Sequence, residues 1–132
     1  MDVALNDGFL DCAAWRAWLE REVLPSAAAW VGVLRRDEFA CGRGKLLVWQ
    51  TGDDGVRVAL REYRGAVEPD VALLLVADNE ALGELLAHGA ARIRPLVRRG
   101  RLHPYMLKTL DELGEVGLAD FVEDLGLVFP RH

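Results

Sequence analysis

Lys45-Leu-Leu-Val-Trp-Gln-Thr-Gly-Asp-Asp-Gly-Val-Arg-Val-Ala-Leu-Arg61 reads as two strands folded back on each other. Thr51 to Gly55 is too short for anything but a hairpin connection, and its two glycines tolerate the positive φ angles that tight turns require. In the second strand Val56, Val58 and Leu60 alternate with Arg57, Ala59 and Arg61, a period of two that turns one face to a core and the other to water. An antiparallel sheet with helices on one face is therefore expected.

Working outward, strands are expected at about 30–35, 45–50, 56–62 and 71–77, where Val, Leu and aromatic residues cluster between Gly, Pro and Asp. Val71-Ala-Leu-Leu-Leu-Val-Ala77 is apolar on both faces and belongs in the sheet centre. Upstream, Cys12, Trp15, Leu19 and Val23 recur at helical spacing, giving a helix over 8–24 capped by Asp7 and stopped before Pro25. Downstream, Asp78 is placed to cap a helix over 79–88 that ends at Gly89. A further helix is expected over 92–99. Pro104 fits the first turn of another over 104–125, with room for a short strand near Gly100 to His103. One helix, a block of strands and a block of helices make the fold class α+β, with a mainly antiparallel sheet of about five strands in one domain spanning 1–132.

Composition narrows the function. The chain has 132 residues, 52% apolar and 28% charged, with a net charge of −5. That balance suits one folded core and disfavours disorder, and the acidic total disfavours nucleic acid as a partner. The longest uncharged apolar run is Val71 to Ala77, far below the roughly 20 residues of a transmembrane segment. The opening Met-Asp-Val carries no secretory or transit signal, so a cytoplasmic protein is expected. Cys12 and Cys41 stand apart without a CxxC spacing and read as reduced small hydrophobes.

Catalytic signatures are hard to find. Ser26 has no nucleophile elbow, Thr51 and Thr109 have no better context, and His88, His103 and His132 never fall at the spacing that places two imidazoles on one helix face. Cys41-Gly-Arg-Gly-Lys45 lacks the spacer, the hydroxyl residue and the helix of a phosphate loop, and reads as a turn with solvated Arg43 and Lys45. No cofactor is implied.

Two features are uneven. Arg92, Arg94, Arg98, Arg99 and Arg101 crowd one segment, followed by an acidic one with Asp111, Glu112, Glu115, Asp120, Glu123 and Asp124. The two segments either neutralise each other or contact an anionic headgroup or partner. Of the four tryptophans, Trp15 and Trp30 read as core, and Trp18 as a residue exposed at an interface.

From residue 44 to about 113 these runs resemble a known family. Gly44-Lys-Leu-Leu-Val-Trp49, the Thr-Gly-Asp-Asp-Gly hairpin, Pro69-Asp-Val-Ala-Leu-Leu-Leu-Val-Ala-Asp78, Leu82-Gly-Glu-Leu-Leu-Ala-His-Gly89, Pro95 and Gly100-Arg-Leu102 occur in the order found in the sterol carrier protein type 2 family. The resemblance implies a five-stranded sheet with helices on one face, enclosing an apolar tunnel for fatty acids, acyl chains or sterol-like lipids. It also implies binding without catalysis. By position, Leu82, Leu85 and Leu86 would line the cavity, Leu102, Met106 and Leu110 would close it, and Trp49 would join them. Arg94, Arg98 or Arg101 would meet a polar headgroup or partner. His103-Pro104 departs from the pattern by interrupting the last strand, as do the basic 92–101 segment and the ending Phe-Pro-Arg-His.

The expectation is non-enzymatic binding of an apolar small molecule. An interaction or scaffold module forming a homodimer is the alternative, and a small enzyme using Asp70 or Asp78 with His88 or His103 is a third.

Overall fold

A computed structural model describes residues 11–21, 27–52 and 54–124. The ends of the expected first helix, its Asp7 cap, its stop at Pro25, Ser26, His132 and residue 125 lie outside them.

Five strands form one mixed sheet: β1 (Trp30–Arg35), β2 (Gly44–Gly52), β3 (Gly55–Tyr63), β4 (Val71–Ala77) and β5 (Leu102–Met106), ordered β3-β2-β1-β4-β5. Only β1 and β4 run parallel; the β1/β2, β2/β3 and β4/β5 pairs are antiparallel. The helices are α1 (Cys12–Arg21), α2 (Arg36–Cys41), α3 (Asn79–His88), α4 (Ile93–Arg98, entered through a 3-10 turn at Ala90–Arg92), α5 (Leu110–Val116) and α6 (Ala119–Asp124).

The pleat sorts the apolar side chains into two layers. Val31 and Val33 of β1, Leu47 and Trp49 of β2, and Leu73, Leu75 and Ala77 of β4 face the main core with Trp15, Trp18 and Leu19 of α1, Leu82 and Leu85 of α3, and Leu96 of α4. Leu113, Phe121 and Val122 complete this layer from α5 and α6. The opposite face is not bare. Leu34, Leu46, Val48, Tyr63, Val71, Leu74 and Val76 form a second, smaller core, with Trp30, Phe39 and Val67 packed against it. Strands β1, β2 and β4 are thus buried on both sides, whereas β3 keeps the half-exposed pattern of an edge. At the middle of β1, Gly32 lets the second core close up, since a Cβ there would stand 3.1 Å from Leu46 Cδ1 and 3.2 Å from Leu74 Cδ1.

Four local readings change. α1 starts at Cys12, where Asp11 Oδ1 accepts the Ala13 N–H at 2.9 Å, so the first described turn is capped by Asp11. Trp18 is only 2% exposed, because it shares the inward face of α1 with Trp15, ring centroids 5.3 Å apart, instead of marking an interface. Arg36–Cys41, between the first two strands, is a short helix that no periodicity announced. The single helix expected over 104–125 is instead strand β5, then α5 and α6.

Pro104 explains that last difference. It pairs with Leu75 at the sheet edge, and the flanking Leu107 N–H to Ala72 carbonyl bond at 2.9 Å makes the odd-numbered residues of β5 the bonded ones. The missing N–H of Pro104 therefore costs the ladder nothing, because that position points outward. The helix begins only at Leu110, after the Thr109 cap, where a reciprocal capping box joins Thr109 and Glu112. It breaks again at Gly117, φ 89°.

Candidate functional site

The residues expected to line an apolar cavity do come together. Trp49, Leu82, Leu85 and Leu102 are buried in the main core, with Leu86 and Met106 packed at its margin. Asp78 positions the α3 contributions by accepting the Ala81 N–H at 2.7 Å, and the i, i+3, i+4 spacing turns Leu82, Leu85 and Leu86 inward. Met106 reaches the core from β5 opposite Leu73, not from a helix. Leu110 opens α5, and its side chain lies outside the described residues. Among the described residues no Asp, Glu, Lys, Arg, His, Ser, Thr, Asn or Gln is buried as a whole, but two side-chain nitrogens, Trp18 Nε1 and Arg92 Nε, are buried without a hydrogen-bond partner.

The arginine segment divides into two groups. Arg92 pairs with Glu84 at 3.0 Å, and Arg101 bridges Asp78 at 3.3 Å and Glu80 at 2.5 Å, tying β5 to the start of α3. Arg94, Arg98 and Arg99 make no ion pair with the described residues. The arginines that are neutralised are thus served by α3, not by the acidic segment that follows them in sequence. Of the three residues expected near a headgroup, Arg94 and Arg98 have no ion-pair partner among the described residues and Arg101 is already engaged.

Asp70 and Asp78 do not meet a histidine. Arg61 grips Asp70 through two bonds, 2.9 and 2.7 Å, holding that carboxyl below the usual carboxylate range, while the same guanidinium lies 5.4 Å over the Trp30 ring. The stabilisation from this pair is present above the unfolded carboxyl value of about 3.9 and is lost as pH falls through the lower folded one. Arg61→Ala is expected to cost less than about 1 kcal/mol at pH 7, since the carboxylate is half exposed. Urea midpoints for variant and parent should converge as pH is taken down through the lowered Asp70 value.

Three cavities lined by described residues open elsewhere. One of about 770 Å³ is bordered by Arg35, Glu38, Arg43, Lys45, Glu62, Tyr63 and Arg64. A second, of about 390 Å³, is walled by Phe39, Tyr63, Val67, Leu74, Tyr105 and Leu107. The third, about 430 Å³, lies between α2 and the start of α3 at Arg36, Ala40 and Asn79. None of the three touches Leu82, Leu85, Leu86 or Leu102. The second was hidden in the sequence because Phe39 sits in an unannounced helix and Tyr105 in a stretch that reads as helical. Cys41, expected as a small hydrophobe, is exposed at the surface, its Sγ 3.3 Å from the Arg43 carbonyl.

Sheet, helix layer and largely apolar interior define an α+β domain. No protein-family profile matches the chain, and no curated protein matches it in sequence. Among solved structures it is similar to a crystal structure of sterol carrier protein 2, at 16% identity and TM-score 0.48 over 89% of this chain and 95% of that one. It is also similar to a UbiJ-SCP2 ubiquinone synthesis protein, at 16% identity and TM-score 0.44 over 93% and 88%. A third is a conserved hypothetical protein from Thermus thermophilus, described as possibly a sterol carrier protein, at 16% identity and TM-score 0.41 over 89% and 76%.

Proposed function

We propose that this protein binds an apolar, lipid-like small molecule between the sheet and the helices α3 and α5, and holds it without transforming it. The observation that carries the reading is the apolar interior, in which Trp49, Leu82, Leu85, Leu86, Leu102 and Met106 belong to one cluster whose members carry no charge, and in which Trp18 Nε1 is a buried polar atom without a hydrogen-bond partner. The order of motifs between residues 44 and 113 supports it from the sequence side. Leu86 and Met106, at the rim, mark the entrance, and Arg94 and Arg98 serve an anionic headgroup.

Burial of a chain contributes about 0.8 kcal/mol per methylene, so a twelve-carbon tail supplies roughly 9 kcal/mol before the cost of parting the packed leucines. No described helix is long and apolar enough to cross a membrane. The test is native mass spectrometry of protein purified without denaturant, with titration of a dansyl-labelled undecanoate. A retained mass and a fluorescence rise are expected, with at least tenfold weaker binding in Leu86→Asp. A bare polypeptide mass with no fluorescence response, or unchanged affinity in that variant, would overturn the assignment.

A further inference from the structure

We propose that the opposite face of the sheet carries a separate site for an anionic amphiphile, its tail in the groove of Phe39, Tyr63 and Tyr105 and its head against Arg43 and Lys45. The groove has the size of a small-molecule site, about 390 Å³. Its walls are a run of rings, Phe39 lying 6.5 Å from Tyr63 and 5.2 Å from Tyr105. Tyr105 and Leu107 at its mouth are 42% and 41% exposed, two of the three large hydrophobic side chains left uncovered among the described residues. Single exposed apolar residues need no account, but two beside an apolar hollow mark a surface that gains by being covered.

The second observation is what adjoins the groove. Tyr63 lines both it and the 770 Å³ cavity, and the chain passes directly from Arg64 on one to Gly65 on the other. Tyr63, only 5% exposed, is thus the shared wall that makes the two hollows adjoin.

Four cations and two carboxylates border the larger cavity, and both carboxylates are occupied. Glu38 accepts the Lys45 backbone N–H at 3.0 Å and the Arg35 Nε–H at 2.8 Å, while Glu62 takes Arg64 at 2.6 Å. The side chains of Arg43 and Lys45 make no ion pair with the described residues. In a chain of net charge −5, this local excess beside an apolar groove complements a molecule with a hydrocarbon tail and a carboxylate or phosphate head. The site shares no residue with the helix side and does not depend on that reading.

Calorimetric titration with decanoate, decyl phosphate and decanol, each below its aggregation limit, tests the proposal. The parent protein is expected to bind both anions at least tenfold more tightly than the alcohol, and the order of the two anions tells a fatty-acid head from a phosphate one. R43E/K45E should lose that preference while decanol binding stays constant, and Leu107→Asp should weaken all three. None of the three positions is buried, so the fold survives, as circular dichroism would check. With the titrations run on a Leu86→Asp background, which disables the helix side, failure of both anions to bind, an anion preference that persists after R43E/K45E, or binding unchanged by Leu107→Asp would overturn it. Failure of the helix-side reading would leave the expected pattern intact.

Discussion

Trp15→Ala is expected to destabilise the protein by about 3–5 kcal/mol, seen as a lowered urea midpoint with an unchanged slope. Trp15 is fully buried and is the hub of an aromatic series. Its ring lies 5.3 Å from Trp18 and 6.0 Å from Trp49, and Trp49 in turn meets Phe121 edge-on at 6.5 Å. That series joins α1, β2 and α6, so truncation leaves a void bordered by rigid rings that relax poorly into it. Trp15→Phe, which keeps a ring at the hub, should recover a substantial part of the loss. A change below about 1 kcal/mol in the alanine variant would show that α1 contributes little to the main core.

The second large effect separates packing from binding along one helix. Leu85→Ala should cost about 2–5 kcal/mol, because Leu85 is fully enclosed between α3 and the sheet. Its neighbour Leu86, half-buried at the margin, should cost less than about 1 kcal/mol when changed to alanine, yet weaken a bound acyl probe several-fold. Thermal melts of both variants with and without dansyl undecanoate distinguish the two roles. If Leu86→Ala lowers stability as much as Leu85→Ala and leaves the ligand-induced rise in Tm unchanged, Leu86 is core alone.

The sheet could be read from local chemistry, and the helix block only in part. The 45–61 hairpin is legible because its turn is short and rich in glycine, and β4 because seven apolar residues in a row suit only a strand covered on both sides. The Asp78 cap was visible for the same kind of reason: an N-cap is a property of four consecutive residues. Pro104 misled because its fixed φ suits a first helical turn and an edge strand equally, and only the pairing with β4 decides between them. Trp18 misled because counting the stripe at 15, 19 and 23 left it between turns, although three-residue spacing from Trp15 puts both rings on one side.

The candidate site was legible to the same degree. The grouping of Leu82, Leu85, Leu86, Leu102 and Met106 was implied by the family resemblance of residues 44–113, with Met106 expected on a helix and found on β5. Whether they surround a ligand is written nowhere in those residues, since filled and hollow interiors use the same side chains. The opposite face was not legible at all. Phe39, Tyr63 and Tyr105 lie on three elements far apart in the chain, and only the β3-β2-β1-β4-β5 order brings them to one surface.

The proline in β5 has a bearing on how this molecule behaves in company. The margin it occupies is where a neighbouring copy would add a strand, and an imino acid in the outward-pointing register offers no donor there. A strand added at that rim would miss one ladder bond opposite Pro104, which disfavours growth of the sheet from this border.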